Sequence, residues 1–129
     1  VTDADLEKRL AEIEGWTATP NMGAAVGFLL RSPKGETDWC TIYGTREQAL
    51  SRACEYLTDA NAVLRVLEKW PHGFEWGKYQ SGVAAKGEEY YCILSATGAR
   101  DGKFHRGKGP TLCRAACLAI VNAQEGKQA

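Results

Sequence analysis

Residues 109–123, GPTLCRAACLAIVNA, constrain the fold more than any other stretch of this chain. Leu112, Ala116, Ala119, Ile120 and Ala123 recur at intervals of three and four, the spacing that gathers residues onto one face of an α-helix. Most of that stripe is small, so the helix must lie close against whatever it covers. Pro110 fits the first helical turn, where its missing N–H would have no intrahelical partner. Immediately upstream, residues 97–109 (TGARDGKFHRGKG) form a glycine-rich, basic run that reads as a loop. A loop of that kind feeding a helix N-terminus can hold an anion.

The remainder of the chain supplies the partners for this helix. Thr2 or Asp3 can cap a first helix with Leu6, Leu10 and Ile13 on its apolar face, and Gly15 ends it. Trp16 then folds back on that helix, and residues 17–23 read as a loop marked by Pro20, Asn21 and Gly23. Residues 24–31 (AAVGFLLR) and 38–43 (DWCTIY) read as two strands joined by a turn at residues 32–35. Thr45 with Gln48 forms a capping box for a helix carrying Ala49, Leu50, Ala53, Cys54 and Leu57. Thr58-Asp59 is a second cap, so residues 45–69 form either two helices meeting at Thr58 or one bent helix, and the caps favour the break. Residues 74–79 and 89–96 are two further strands, and the second is apolar on both faces and therefore central. The order is α-β-β-α-β-β-α. Short connections favour hairpins, and strands apolar on both faces need cover on both sides. The expected class is α/β in the broad sense (α+β): a three-layer α/β/α sandwich with a mainly antiparallel sheet.

At 129 residues the chain reads as one domain, 1–129, able to bury about two thirds of its unfolded surface. Its formal net charge is zero, which argues against a dedicated duplex-DNA binder but leaves room for a local basic pocket. Five cysteines lack the spacing of a disulfide framework and suit a reducing compartment. No apolar run approaches membrane-spanning length, and no signal-peptide pattern opens the chain.

The glycine-rich run offers Arg100, Lys103, His105, Arg106 and Lys108 against Asp101. With His105 neutral, that is four cations against one acid. Phosphate is the ligand this chemistry suits, and a solvated hairpin tip is the competing account. The run has no Gly-Lys-Ser/Thr and is not a P-loop. Trp16, Trp39, Trp76, Tyr43, Tyr79 and Phe104 can each stack on a base or simply pack. Phe104 stands out because it lies in a polar run, where it is either a stacking ring or an anchor. Arg114, one turn into the last helix, can reach an anion or pair with an acid. Cys113 and Cys117 stand four apart, but with no further ligand nearby they read as core. No catalytic signature is present: no Ser-His-acid arrangement, no HExxH, no paired-carboxylate motif. The expectation is a protein that is not an enzyme and needs no metal or cofactor, with Arg100, Lys103, Phe104, His105, Arg106, Lys108, Arg114, Trp16 and Tyr43 as its candidate ligand-binding residues.

Three segments in series resemble the phage ABA-sandwich domain. Gly15-Trp16 follows the first helix. Tyr56-Leu57-Thr58-Asp59 opens an Ala- and Val-rich helix ending in Glu68-Lys69, and Cys113-Arg114-Ala115-Ala116 lies in an apolar closing helix. The segment 45–55 is longer than the family pattern. The resemblance implies a small phage or prophage protein with helices on both faces of a sheet, and it brings no catalytic motif. Joined to the basic run, that setting leads us to expect an anti-defence sponge in the host cytoplasm. It would sequester a cyclic dinucleotide as a homo-oligomer. The alternative is a protein–protein inhibitor or adaptor acting on a host defence complex.

Overall fold

The computed structural model describes residues 2–21, 27–96 and 103–126. They form a mixed α+β structure with four helices and five strands, the strands falling into two small antiparallel sheets. The chain divides into two compact units, residues 1–55 and 56–129. No helix among the described residues is long and apolar enough to cross a membrane.

In the first unit, α1 (Asp3–Glu14) starts where Thr2 Oγ1 accepts the Asp5 N–H at 3.1 Å. It stops at Gly15, whose φ of 108° is left-handed and easily reached only without a Cβ. Leu6, Leu10 and Ala11 on its inner face are completely buried. β1 (Thr17–Pro20) pairs antiparallel with β2 (Phe28–Arg31), setting Ala18 opposite Leu30. A strand therefore lies where residues 17–23 read as a loop; alternation over four residues, with one buried alanine, is too weak a signal in a single sequence. Of the strand expected over 24–31, residues 28–31 form β2 and residues 24–26 lie outside the described residues.

The strand expected over 38–43 does not form. Only Thr37 and Tyr43 bridge to β2, at Arg31 and Phe28. Between them Asp38 Oδ1 accepts the Cys40 N–H at 2.9 Å, a side-chain turn that competes with the ladder. α2 (Arg46–Ser51) begins as its capping residues require: Thr45 Oγ1 accepts the Gln48 N–H, and Gln48 Oε1 accepts the Gly44 N–H. Ala49 and Leu50 of α2 close the core with Ala18 and Leu30.

The second unit is an α-β-β-β-α arrangement. Asp59 Oδ1 accepts the Asn61 N–H and starts α3 (Ala60–Glu68), so the second cap is present, but the helix before it ends at Ser51 and does not reach Ala53, Cys54 or Leu57 as expected. β3 (Phe74–Lys78), β4 (Tyr90–Ser95) and β5 (Phe104–Gly109) form one antiparallel sheet with β4 in the centre. The register places Trp76 and Gly107 opposite Cys92, and Phe74 and His105 opposite Leu94. This row faces α4 (Leu112–Gln124), which packs on β4 and β5. Thr111 caps α4 through the Arg114 N–H, so Pro110 stands before the cap rather than inside the first turn. There it ends β5, having no N–H to extend the ladder.

α4 crosses β5 at Gly107 with backbone nearly touching backbone. A Cβ on Gly107 would lie 2.1 Å from the Ala115 carbonyl oxygen and 2.5 Å from the Ala119 nitrogen. The small residues of α4 and the bare glycine are thus two halves of one contact, fixed further by Asn122 Nδ2 donating to the Arg106 carbonyl at 2.7 Å. Gly107→Ala forces the helix off the sheet and is expected to cost about 3 kcal/mol or more, at the upper end of overpacking effects. Thr111→Ala removes one cap and should cost about 1 kcal/mol. Urea titrations of the two variants check both values and their order.

Candidate functional site

β5 alternates in chemistry. His105, Gly107 and Gly109 are buried towards α4, while Phe104, Arg106 and Lys108 stand on the opposite face of the sheet. Of the basic run read as a loop over 97–109, residues 104–109 are a strand, and residues 97–102 lie outside the described residues. Its cations project from a sheet surface rather than curling over the N-terminus of α4. Two residues of strand separate Arg106 from Lys108 by about 7 Å. Each rests on an aromatic ring rather than on a described carboxylate: Arg106 Cζ lies 6.0 Å from the Phe104 ring centre, and Lys108 Nζ lies 5.8 Å from that of Tyr79.

The same face carries Tyr91 and Ile93 of β4 and Glu75 and Gly77 of β3. Tyr91 lies over Gly77, where a Cβ would come within 3.1 Å of its hydroxyl oxygen. Its ring centre is 4.8 Å from that of Tyr79, and its hydroxyl donates to Glu75 Oε1 at 3.0 Å. That hydrogen bond to a carboxylate holds the phenol proton above the ordinary range. The β3–β4 connection closes with Tyr79 N–H donating to the Glu89 carbonyl, and Glu89 Oε1 accepts the Gly87 N–H. The Gly87 N–H lowers the Glu89 pKa, so this carboxylate stays charged. A recess of about 220 Å³ opens between the connection and the sheet, lined by Tyr79, Val83, Ala84, Ala85, Glu88 and Lys108.

The nine residues singled out from the sequence separate into groups. Phe104, Arg106 and Lys108 share the outer sheet face, with exposed Lys103 just before it. His105 does not join them. It is 6% exposed, turned towards α4, with its ring 6.0 Å edge-on from Trp70, and is a packing residue. Arg114 is half-buried on α4, away from that face. Trp16 and Tyr43 belong to the first unit and pack on its core of Ala18, Leu30, Ala49 and Leu50. Arg100 lies outside the described residues. Tyr91, which the sequence places in a strand, and Glu88, which it marks as a solvated strand start, were not among the candidate site residues. The signal that could have found Tyr91 is the alternation Tyr91, Ile93 against Cys92, Leu94, set beside the alternation of the basic run.

Among the described residues no cluster of His, Cys, Asp and Glu could hold a metal ion. Comparison of the chain with family models, with curated proteins and with solved structures finds no match in any of the three.

The cysteines differ in environment. Cys40 is exposed, whereas Cys92, Cys113 and Cys117 are buried. Burial pushes the Cys92 thiol up to about 12. Iodoacetamide at pH 8 should modify Cys40 and leave Cys92 untouched in the native protein, as peptide mass mapping would show. Because the Cys92 proton is held more tightly in the folded chain, its contribution to stability is intact below about pH 9. It falls away as the pH rises towards 12. Alkaline urea melts should show that loss, and Cys92→Ala should reduce it.

Proposed function

We propose that this protein is a non-enzymatic nucleotide-binding protein whose ligand lies on the outer face of the β3-β4-β5 sheet. Arg106 and Lys108 take the phosphates, while Tyr79, Tyr91 and Phe104 offer π-faces to the bases. One observation carries this reading: two cations about 7 Å apart share a sheet face with three aromatic rings, opposite the face that α4 covers. Stacking on aromatic rings beside a cationic track is the common physical basis for holding unpaired nucleotides. The zero net charge keeps long duplex DNA out of the reading, since only a local patch is basic.

The narrower form of the proposal is a cyclic dinucleotide, sequestered in the host cytoplasm by a phage-encoded sponge. The resemblance to the phage ABA-sandwich domain supplies the biological setting. The recess, at about 220 Å³, is smaller than the roughly 300–1,000 Å³ of pockets that enclose drug-sized ligands. One chain therefore takes one base and its phosphate, and a two-fold ligand calls for two copies of the chain in a homo-oligomer. Calorimetry with a panel of cyclic dinucleotides is expected to detect binding that weakens with added salt. Arg106→Ala and Lys108→Ala should each weaken it about tenfold or more, the scale of a lost charge-assisted hydrogen bond. Absence of heat, or unchanged affinity in both variants, contradicts the proposal.

A second reading has its own observation. In the first unit Trp39 is 75% exposed and Ile42 45%, on a segment that only bridges to β2. An exposed tryptophan of this kind is the usual anchor of a protein interface. A protein inhibitor or adaptor would dock there. Recovery of a stoichiometric host protein that Trp39→Ala releases favours this reading over the first.

A further inference from the structure

The recess beside Tyr79 contains a contradiction if its ligand is simply an anion. Lys108 and Glu88 both line it, so the recess carries one positive and one negative charge and no net attraction for phosphate alone. Glu88 is not spent on holding the loop. Its N–H donates to the Ala85 carbonyl and closes a turn, while the side-chain work is done by neighbouring Glu89, which accepts the Gly87 N–H at 2.9 Å. The Glu88 carboxylate is exposed and has no partner among the described residues. The remaining lining is apolar or aromatic, from Val83, Ala84, Ala85 and Tyr79, whose ring centre lies 5.8 Å from Lys108 Nζ.

A recess that combines a cation and a carboxylate with apolar and aromatic lining fits a ligand that is itself divided: anionic in one part, flat in another, and rich in N–H donors in a third. An ionised carboxylate only accepts hydrogen bonds, through two oxygens side by side. Among the common bases, guanine alone presents two adjacent donors, N1–H and N2–H, on one edge. Adenine sets an acceptor, N1, beside its amino group. Cytosine sets N3 in the same relation, and uracil flanks one N–H with two carbonyl oxygens. Each of those places a lone pair against the carboxylate.

We infer that the recess lined by Tyr79, Glu88 and Lys108 selects guanine nucleotides, with Glu88 reading the base edge, Tyr79 stacking on the ring and Lys108 meeting the phosphate. The inference rests on the nucleotide-binding reading above and deepens it by naming the base. Glu88 acts as a specificity residue, and no bond is made or broken.

The test measures the affinity of the full chain for guanosine, inosine and adenosine 5′-monophosphates at one fixed low salt concentration. Glu88→Gln is compared with the unaltered protein, and circular dichroism confirms that both are folded. Guanosine monophosphate is expected to bind about tenfold or more tighter than adenosine monophosphate, the scale of one bidentate base contact. Inosine monophosphate, which lacks the N2 amine, should fall between them. Glu88→Gln should lose the preference by weakening guanosine monophosphate while leaving adenosine monophosphate within about twofold, the change expected when only the base-edge contact is removed. If all three nucleotides bind equally and Glu88→Gln changes nothing, base selection by Glu88 is overturned and nucleotide binding survives. If none binds, the nucleotide reading fails and this inference fails with it.

Discussion

The second unit depends on a missing side chain. At Gly107 the strand β5 meets the backbone of α4 so closely that even a methyl group has nowhere to go. Ala115 and Ala119 provide the matching surface on the helix. This contact fixes which side of β5 faces inward. Because side chains alternate along a strand, it also fixes that Phe104, Arg106 and Lys108 face outward together. A slip of one residue would bury two cations under the helix and expose His105, so burial energy specifies the register strongly. The chemistry proposed for the outer face is thus positioned by a packing constraint on the inner one.

The outer face is itself ordered by a second glycine. Gly77 leaves space for the Tyr91 ring, which is then braced by Tyr79 on one side and by the Glu75 carboxylate through its hydroxyl. Aromatic rings laid over a strand glycine and locked by a hydrogen bond make a firm platform. The two cations lie over rings of the same platform, which costs them little hydration and leaves their hydrogen bonds free for a ligand. Preorganisation of this kind reduces the ordering cost that binding must otherwise overcome.

What could be read from the sequence divides along the line between local and distant interactions. Helix starts were legible because capping is local: Thr2, Thr45 and Asp59 each accept a backbone N–H two or three residues ahead. Gly15 ended α1 for an equally local reason. The central strand β4 was legible from its doubly apolar pattern. β1 and β5 were not, since their strand character comes from pairing with a neighbouring strand rather than from an apolar alternation of their own. In β5 the buried positions are His105, Gly107 and Gly109, so the usual apolar alternation is absent and the glycines mimic a loop. The segment 38–43 misled in the opposite direction, its alternation being genuine but overruled by the Asp38 turn. The candidate site was legible in part: Phe104, Arg106 and Lys108 were named for their chemistry. Their company has two origins: strand pairing sets Tyr91 opposite Lys108, and the β3–β4 connection brings Glu88 to the recess beside them.

The central claim is that the sheet face opposite α4 is where an anionic, aromatic ligand lies. Amide and side-chain NMR shifts followed during titration with a cyclic dinucleotide test it most directly. The account predicts that the largest changes map to Tyr79, Tyr91, Phe104, Arg106 and Lys108, with little change at Cys117 and Val121 on the buried side of α4. Changes centred on residues 39–43, or spread without regard to that face, would contradict it.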